Sequence, residues 1–203
     1  METPNVSGDN ILAYAFWHWP QPSVDRTAYE VAQVQFQRSL AAAPSPGFIR
    51  SASYAIAGAP WANNGGDAYQ DWYMVRGTTA LDPLDEAAIT ASRKAPHDAA
   101  AAQAAGGTAG LFKLRLGDPP NEARWSHWFS KPAGVSYPQL FAAVEPALAP
   151  VGGSLWVRKM TLGPSPEFCV LARQPAALAP QFQMFAFPLR PVWEGADVEV
   201  ASR

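Results

Sequence analysis

One short segment of this chain returns past its midpoint, and that return limits the folds open to it. Ala15-Phe16-Trp17-His18-Trp19-Pro20 comes back as Trp125-Ser126-His127-Trp128-Phe129, with Pro132 shortly after. A tyrosine follows each histidine by ten or eleven residues (Tyr29, Tyr137), and a leucine follows each tyrosine by eleven (Leu40, Leu148). Eight residues later stand Phe48-Ile49-Arg50 and Trp156-Val157-Arg158. Asp71-Trp72-Tyr73-Met74-Val75 then aligns with Glu167-Phe168-Cys169-Val170-Leu171. Five matches in one order and nearly one spacing point to a duplicated unit.

Each His-Trp pair sits in a short apolar run that reads as a strand. Thr27 to Glu30 and Ser136 to Gln139 both fit a capping box, in which a hydroxyl and a carboxylate or amide close a helix start reciprocally. Beyond the first, Tyr29, Gln33, Phe36 and Leu40 form one buried helical stripe; beyond the second, Tyr137, Leu140, Phe141, Val144 and Leu148 do the same. Pro146 should kink or shorten that second helix. A strand pair follows in each half, Phe48 to Ala57 with Tyr69 to Arg76, and Ser154 to Leu162 with Phe168 to Arg173. The halves then diverge. The first carries an Ala-rich helical stretch from Asp82 to Ala105 and a strand at Leu111 to Leu116. The second has only Gln174 to Pro180, too short and too proline-rich for a helix, before a strand at Phe182 to Leu189.

The resulting order is a split βαβ unit used twice, with units at residues 10–117 and 122–193. A tandem pair of such units resembles the dimeric α/β-barrel superfamily of ferredoxin-like folds. That resemblance implies an α+β class: two four-stranded antiparallel sheets forming an α/β barrel with helices outside. The superfamily includes cofactor-free monooxygenases, small isomerases, haem-binding dismutases and peroxidases, and proteins without known activity, so fold alone does not choose a function.

The chemistry-bearing residues are those the repeat places in matching positions. His18 and His127 lie on strands whose opposite faces carry Trp17, Trp19 and Trp128. If His18 faces the space between the sheets it can serve as a general base; otherwise it is a buried histidine bonded to backbone. Arg50 and Arg158 read either as clamps for an oxyanion or as ion-pair partners of Asp71 and Glu167 on the next strand. Asp71 and Tyr73 share a face and would complete a proton-transfer set with His18. Trp17, Trp19, Tyr73 and Trp128 are candidates to line a pocket for a flat ligand, although tryptophans more often build core. His97 is expected to face solvent, and Cys169 to be an inert core thiol.

Composition narrows the partners. Net charge is −2 and charged residues are only 16%, which argues against nucleic acid. No apolar run is long enough to span a membrane, and Met1 to Asn10 lacks the order of a signal peptide, so a cytoplasmic protein is the default. A single cysteine leaves no intrachain disulfide, and no close carboxylate completes a metal site beside the paired histidines. The expectation is a barrel, monomer or homodimer, acting without cofactor on a small hydrophobic or aromatic molecule as a monooxygenase or isomerase. His18 would accept a proton, Asp71 orient it and Arg50 hold an oxyanion, with His127 and Arg158 as duplicates. The alternative is a non-catalytic barrel that binds a small ligand or a protein; haem is a less favoured occupant.

Overall fold

The computed structural model describes residues 10–160 and 162–198; Met1 to Asp9 lie outside them. Elements follow in the order β1 (Ile11–Pro20), α1 (Arg26–Ala42), β2 (Phe48–Ile56), β3 (Ala68–Arg76), α2 (Leu81–Ala88), α3 (Ala91–Ala101) and β4 (Ala104–Leu116). The second half continues with β5 (Trp125–Phe129), α4 (Tyr137–Leu148), β6 (Ser154–Lys159), β7 (Phe168–Ala172), β8 (Met184–Pro188) and β9 (Arg190–Glu194). The class is α+β, and all strands join one nine-stranded antiparallel sheet in the order β8-β5-β7-β6-β4-β1-β3-β2-β9. Four strands of the first half thus lie as β4-β1-β3-β2, and four of the second as β8-β5-β7-β6, the same order.

Local sequence explains most boundaries. α4 begins with the reciprocal Ser136–Gln139 box and ends two residues beyond Pro146. α1 differs from the expected cap: Asp25, not Thr27, accepts the Ala28 N–H at 3.0 Å. The Ala-rich stretch is not one helix. It breaks at Ile89 and Thr90 into α2 and α3, and the chain is already a strand by Ala104.

The place of β4 between β6 and β1 corrects the expected pair of separate four-stranded sheets. With 13 residues, β4 pairs with β1 through Ala104 to Lys113 and with β6 through Leu111 to Leu116. One strand thereby fuses both halves into a single sheet. The run Gly106-Gly107-Thr108-Ala109-Gly110 lies within it because neighbouring rings take the space side chains would occupy. A Cβ on Gly106 would meet the Trp19 ring at 2.7 Å, and one on Gly107 the Phe16 ring at 2.6 Å.

The sheet rolls over on itself without closing its ladder. β1 and β5 are four strand positions apart, which on a flat sheet is roughly 19 Å. Yet the Trp17 and Trp128 ring centroids are 5.2 Å apart, and Trp72 lies 6.0 Å from Trp128. Those rings, with Phe112 and Trp156, form the core between the two halves of the sheet. A second core joins the outer face of the first half to its helices, and a third joins the second half to α4 and the segment around Phe182. β8 and β9 remain as the two edges, and the chain passes from one to the other through Leu189.

The turn that leaves β4 is a strict point in this arrangement. Gly117 has φ +70°, and a Cβ there would stand 2.5 Å from the Gly153 carbonyl oxygen. Gly117→Ala should lower unfolding stability by about 2 kcal/mol or more, read as an earlier urea midpoint at unchanged slope. An unmoved midpoint would show that the backbone there relaxes freely.

Candidate functional site

Alternation along β1 decides where the chemistry lies. Trp17 turns into the core between the sheet halves, so Phe16 and His18 turn the other way, toward α1. On β3, Phe16 pairs with Asp71 and His18 with Tyr69, which puts His18 and Asp71 diagonally on one face. The sequence reading in which His18 faces the space between sheets is therefore corrected: that space is filled by indoles, and His18 lies under a helix.

The buried stripe of α1 completes the cluster. Tyr29 Oη stands 2.6 Å from His18 Nδ1, while His18 Nε2 stands 3.3 Å from Asp71 Oδ1. Gln37 Nε2 and the Tyr73 hydroxyl both donate to Asp71 Oδ2, at 3.0 and 2.8 Å. His18 and Asp71 are each about 1% exposed, and His18 stacks between Phe16 and Tyr69. Burial first, then the Asp71 charge, pushes the Tyr29 and Tyr73 phenols up, so both keep their protons and act as donors. A carboxylate only accepts, so the proton between His18 and Asp71 sits on Nε2, and Nδ1 is left to accept from the Tyr29 hydroxyl.

This cluster borders a cavity of about 750 Å³ between the sheet and the three helices of the first half. Tyr14, Phe16 and Tyr73 form an aromatic wall, Phe36 and Leu84 face it from the helices, and small residues from Ala100 to Gly107 leave the room. His97, expected in solvent, is 33% exposed and packs edge-on to Phe36 in the cavity wall. Tyr29, Gln37 and His97 were not among the site residues singled out from the sequence. The two on α1 had a signal, a phenol and an amide at helical spacing on a stripe that is otherwise core.

Other sequence candidates lie elsewhere. Trp17 and Trp128 are fully buried between the sheet halves, and Trp19 packs on that core with its ring over Gly106; none lines the cavity. Arg50 is 5% exposed and far from ligand chemistry: it donates to the Pro119 and Pro120 carbonyls at 3.0 Å, to Asn121, and to Asp197 at 3.1 Å. It ties the link between the halves to the segment after β9, pairs with Asp197 and not with Asp71, and does not line the cavity described above. Arg158 donates to the Gly163 and Ser165 carbonyls in its own hairpin.

His127 occupies the matching face of β5 but has different surroundings. The ladder places Ala172, not Glu167, diagonally across from it, because Trp125 pairs with Ala172. Its Nε2 accepts the Ala176 N–H at 3.1 Å, from the loop that stands where the first half has helices. Burial holds its pKa below the usual 6.5. Neither repeat histidine suits a haem iron, which needs a ring nitrogen aimed into open space. Both His18 nitrogens face protein partners, and His127 is capped by backbone. Among the described residues no group of three His, Cys, Asp or Glu side chains could hold a metal ion, and no helix is long and apolar enough to cross a membrane.

Comparison with known proteins gives the fold a context. The chain matches no protein-family model and no curated sequence. Among solved structures it is similar to a proposed monooxygenase from Fusobacterium nucleatum, with TM-score 0.61 and 10% identity over 95% of this chain and 99% of that one. A proposed monooxygenase from Lactobacillus acidophilus gives TM-score 0.56 at 9% identity over 94% and 99%. A proposed chlorite dismutase gives 0.53 at 13% over 92% and 96%, and an anthrone oxidase-like protein 0.50 at 9% over 94% and 97%. At such identities the likeness is one of fold, the ferredoxin-like α+β arrangement.

Two placements yield measurable consequences. A neutral buried His127 stabilises the fold above its unfolded pKa of about 6.5, and that contribution declines as pH falls, because the unfolded state then binds the extra proton. Stability should drop from pH 6.5 toward 5, and His127→Gln should show a shallower drop in denaturation curves across that range. Arg50→Met should cost about 2–3 kcal/mol through the carbonyls and Asp197 left without their donor, while binding of small molecules in the cavity is unchanged.

Proposed function

We propose that the chain is a cofactor-independent enzyme that removes a proton from a small hydrophobic or aromatic molecule held in the cavity of its first half. The observation that carries this reading is the buried Asp71–His18–Tyr29 line bordering an otherwise largely apolar space. Tyr29 passes its proton to His18 Nδ1 as it takes one from the substrate, and Asp71 steadies the imidazolium through Nε2. Tyr73 and Gln37 keep the Asp71 carboxylate oriented. The rings of Phe16 and Tyr14 offer a flat surface beside the acidic position of a planar substrate.

Proton removal is the step shared by a monooxygenase, in which dioxygen then reacts with the carbanion, and an isomerase, in which the proton returns to another atom. The similarity to proposed monooxygenases and to an anthrone oxidase-like protein favours the first. The shared strand order of the two halves supports reading them as a tandem duplication at residues 10–117 and 122–193, the second serving as scaffold.

Anthrone is a direct probe. Purified protein should oxidise it with uptake of dioxygen, and His18→Ala should lower kcat by about 10²–10⁴-fold while the melting temperature holds within a few degrees. Tyr29→Phe should show a similar loss. Saturable anthrone binding without turnover, unchanged in His18→Ala, would replace this reading with a non-catalytic small-ligand protein.

A further inference from the structure

We infer that the cavity selects aromatic molecules bearing a basic amine over matched carboxylates; this rests on the proposed reading of that cavity as the site. Its fixed charges are of one sign. Asp71 borders its inner end, and Asp82 and Asp85 border it from α2, whereas no lysine or arginine lines it. Asp82 and Asp85 are three residues apart on one face of the helix. Neither has a Lys, Arg or His partner at ion-pair distance among the described residues. Asp82, in the first turn of α2, also suits the helix dipole, but Asp85 lies beyond that turn.

Two further observations point to a ligand rather than to a solvated acidic face. Asp71, almost wholly buried, is a third carboxylate at the cavity's inner end, and only the His18 imidazole stands against its Oδ1, at 3.3 Å. The field of Asp85 also reaches the ring wall: after burial it is what raises the Tyr14 phenol. Tyr14 in turn lies 6.2 Å from both Phe16 and Tyr73, so the rings carry from the mouth toward His18. An ammonium group is attracted both by carboxylates and by ring faces, and low-dielectric walls concentrate that field. A planar amine would seat its ammonium between Asp85 and Tyr14 and its ring system along Phe16. A carboxylate in the same pose would meet only like charge.

Tryptamine, tryptophol and indole-3-acetate form a matched cationic, neutral and anionic series for calorimetric binding to the full chain. Tryptamine should bind at least about tenfold more tightly than indole-3-acetate, the scale two partly exposed carboxylates can supply, with tryptophol between. The preference should shrink with added salt and fall to about threefold or less in Asp82→Asn/Asp85→Asn, whose melting temperature verifies its fold. Equal binding of the three, tighter binding of the acetate, or a preference untouched by the double variant would overturn the inference while leaving the proton-transfer reading standing. Binding of none of them would also overturn it, and His18-dependent anthrone oxidation would then decide separately whether the reading of function survives.

Discussion

The contact between Trp17 and Trp128 is the constraint from which the rest of the arrangement follows. Two indoles from strands four positions apart meet only if the sheet rolls, and the roll commits one face of each half to the interior. Because neighbours on a strand point to opposite sides, burying Trp17 inward turns His18 outward beneath α1. The same logic on β3 sends Trp72 and Met74 into the indole core and Asp71 and Tyr73 to the helix side. The catalytic candidates are thus placed by the packing of residues that never touch a ligand. Large aromatic rings suit this task, since each buries much area and fixes direction with few rotatable bonds.

The two halves use the same strand order for different ends. In the first, α1 supplies a phenol to His18 and β3 supplies a carboxylate, and the helices stand off the sheet. In the second, the register brings Ala172 opposite the histidine face, and the loop after β7 donates a backbone N–H to the imidazole. One histidine gains an acid and a proton donor bordering open space, while the other is sealed. The two matching positions therefore carry the same residue type in different surroundings.

Much of this was legible in the chain. Strand and helix order, the Ser136 cap, the shortened second half and the opposed faces of His18 and Trp17 all follow from spacing. Which face lies inside did not, and the reason is physical. β2 is buried along its whole length and β3 along all but its last residue, so no polar face marks the outside. Matching apolar runs also tolerates a slip of register, which is how Glu167 came to stand for Asp71 when the ladder puts Ala172 there. Arg50 was illegible for a related reason: a matching position says nothing of partners, and those of Arg50 come from Pro119, Pro120, Asn121 and Asp197, distant in sequence. The glycine run of β4 reads as a loop from composition, because the rings of Trp19 and Phe16 that require it belong to another strand.

The alanines before that run account for why a cavity exists at all. A helix laid on a sheet normally fills the gap with side chains from both, as Leu140, Val144 and Leu148 of α4 do with Phe129, Phe168 and Val170 in the second half. In the first half, Ala100, Ala101, Ala104 and Ala105 offer only methyl groups to the wall, and the space opens beside Phe16 and His18. A fold selected for stability alone would bury leucines there in place of the Asp71 carboxylate, whose desolvation the contacts from Gln37, Tyr73 and His18 must offset. Placing a buried carboxylate, an imidazole and two protonated phenols beside a cavity sacrifices packing in one half, whereas the indole core and the second half are filled by side chains.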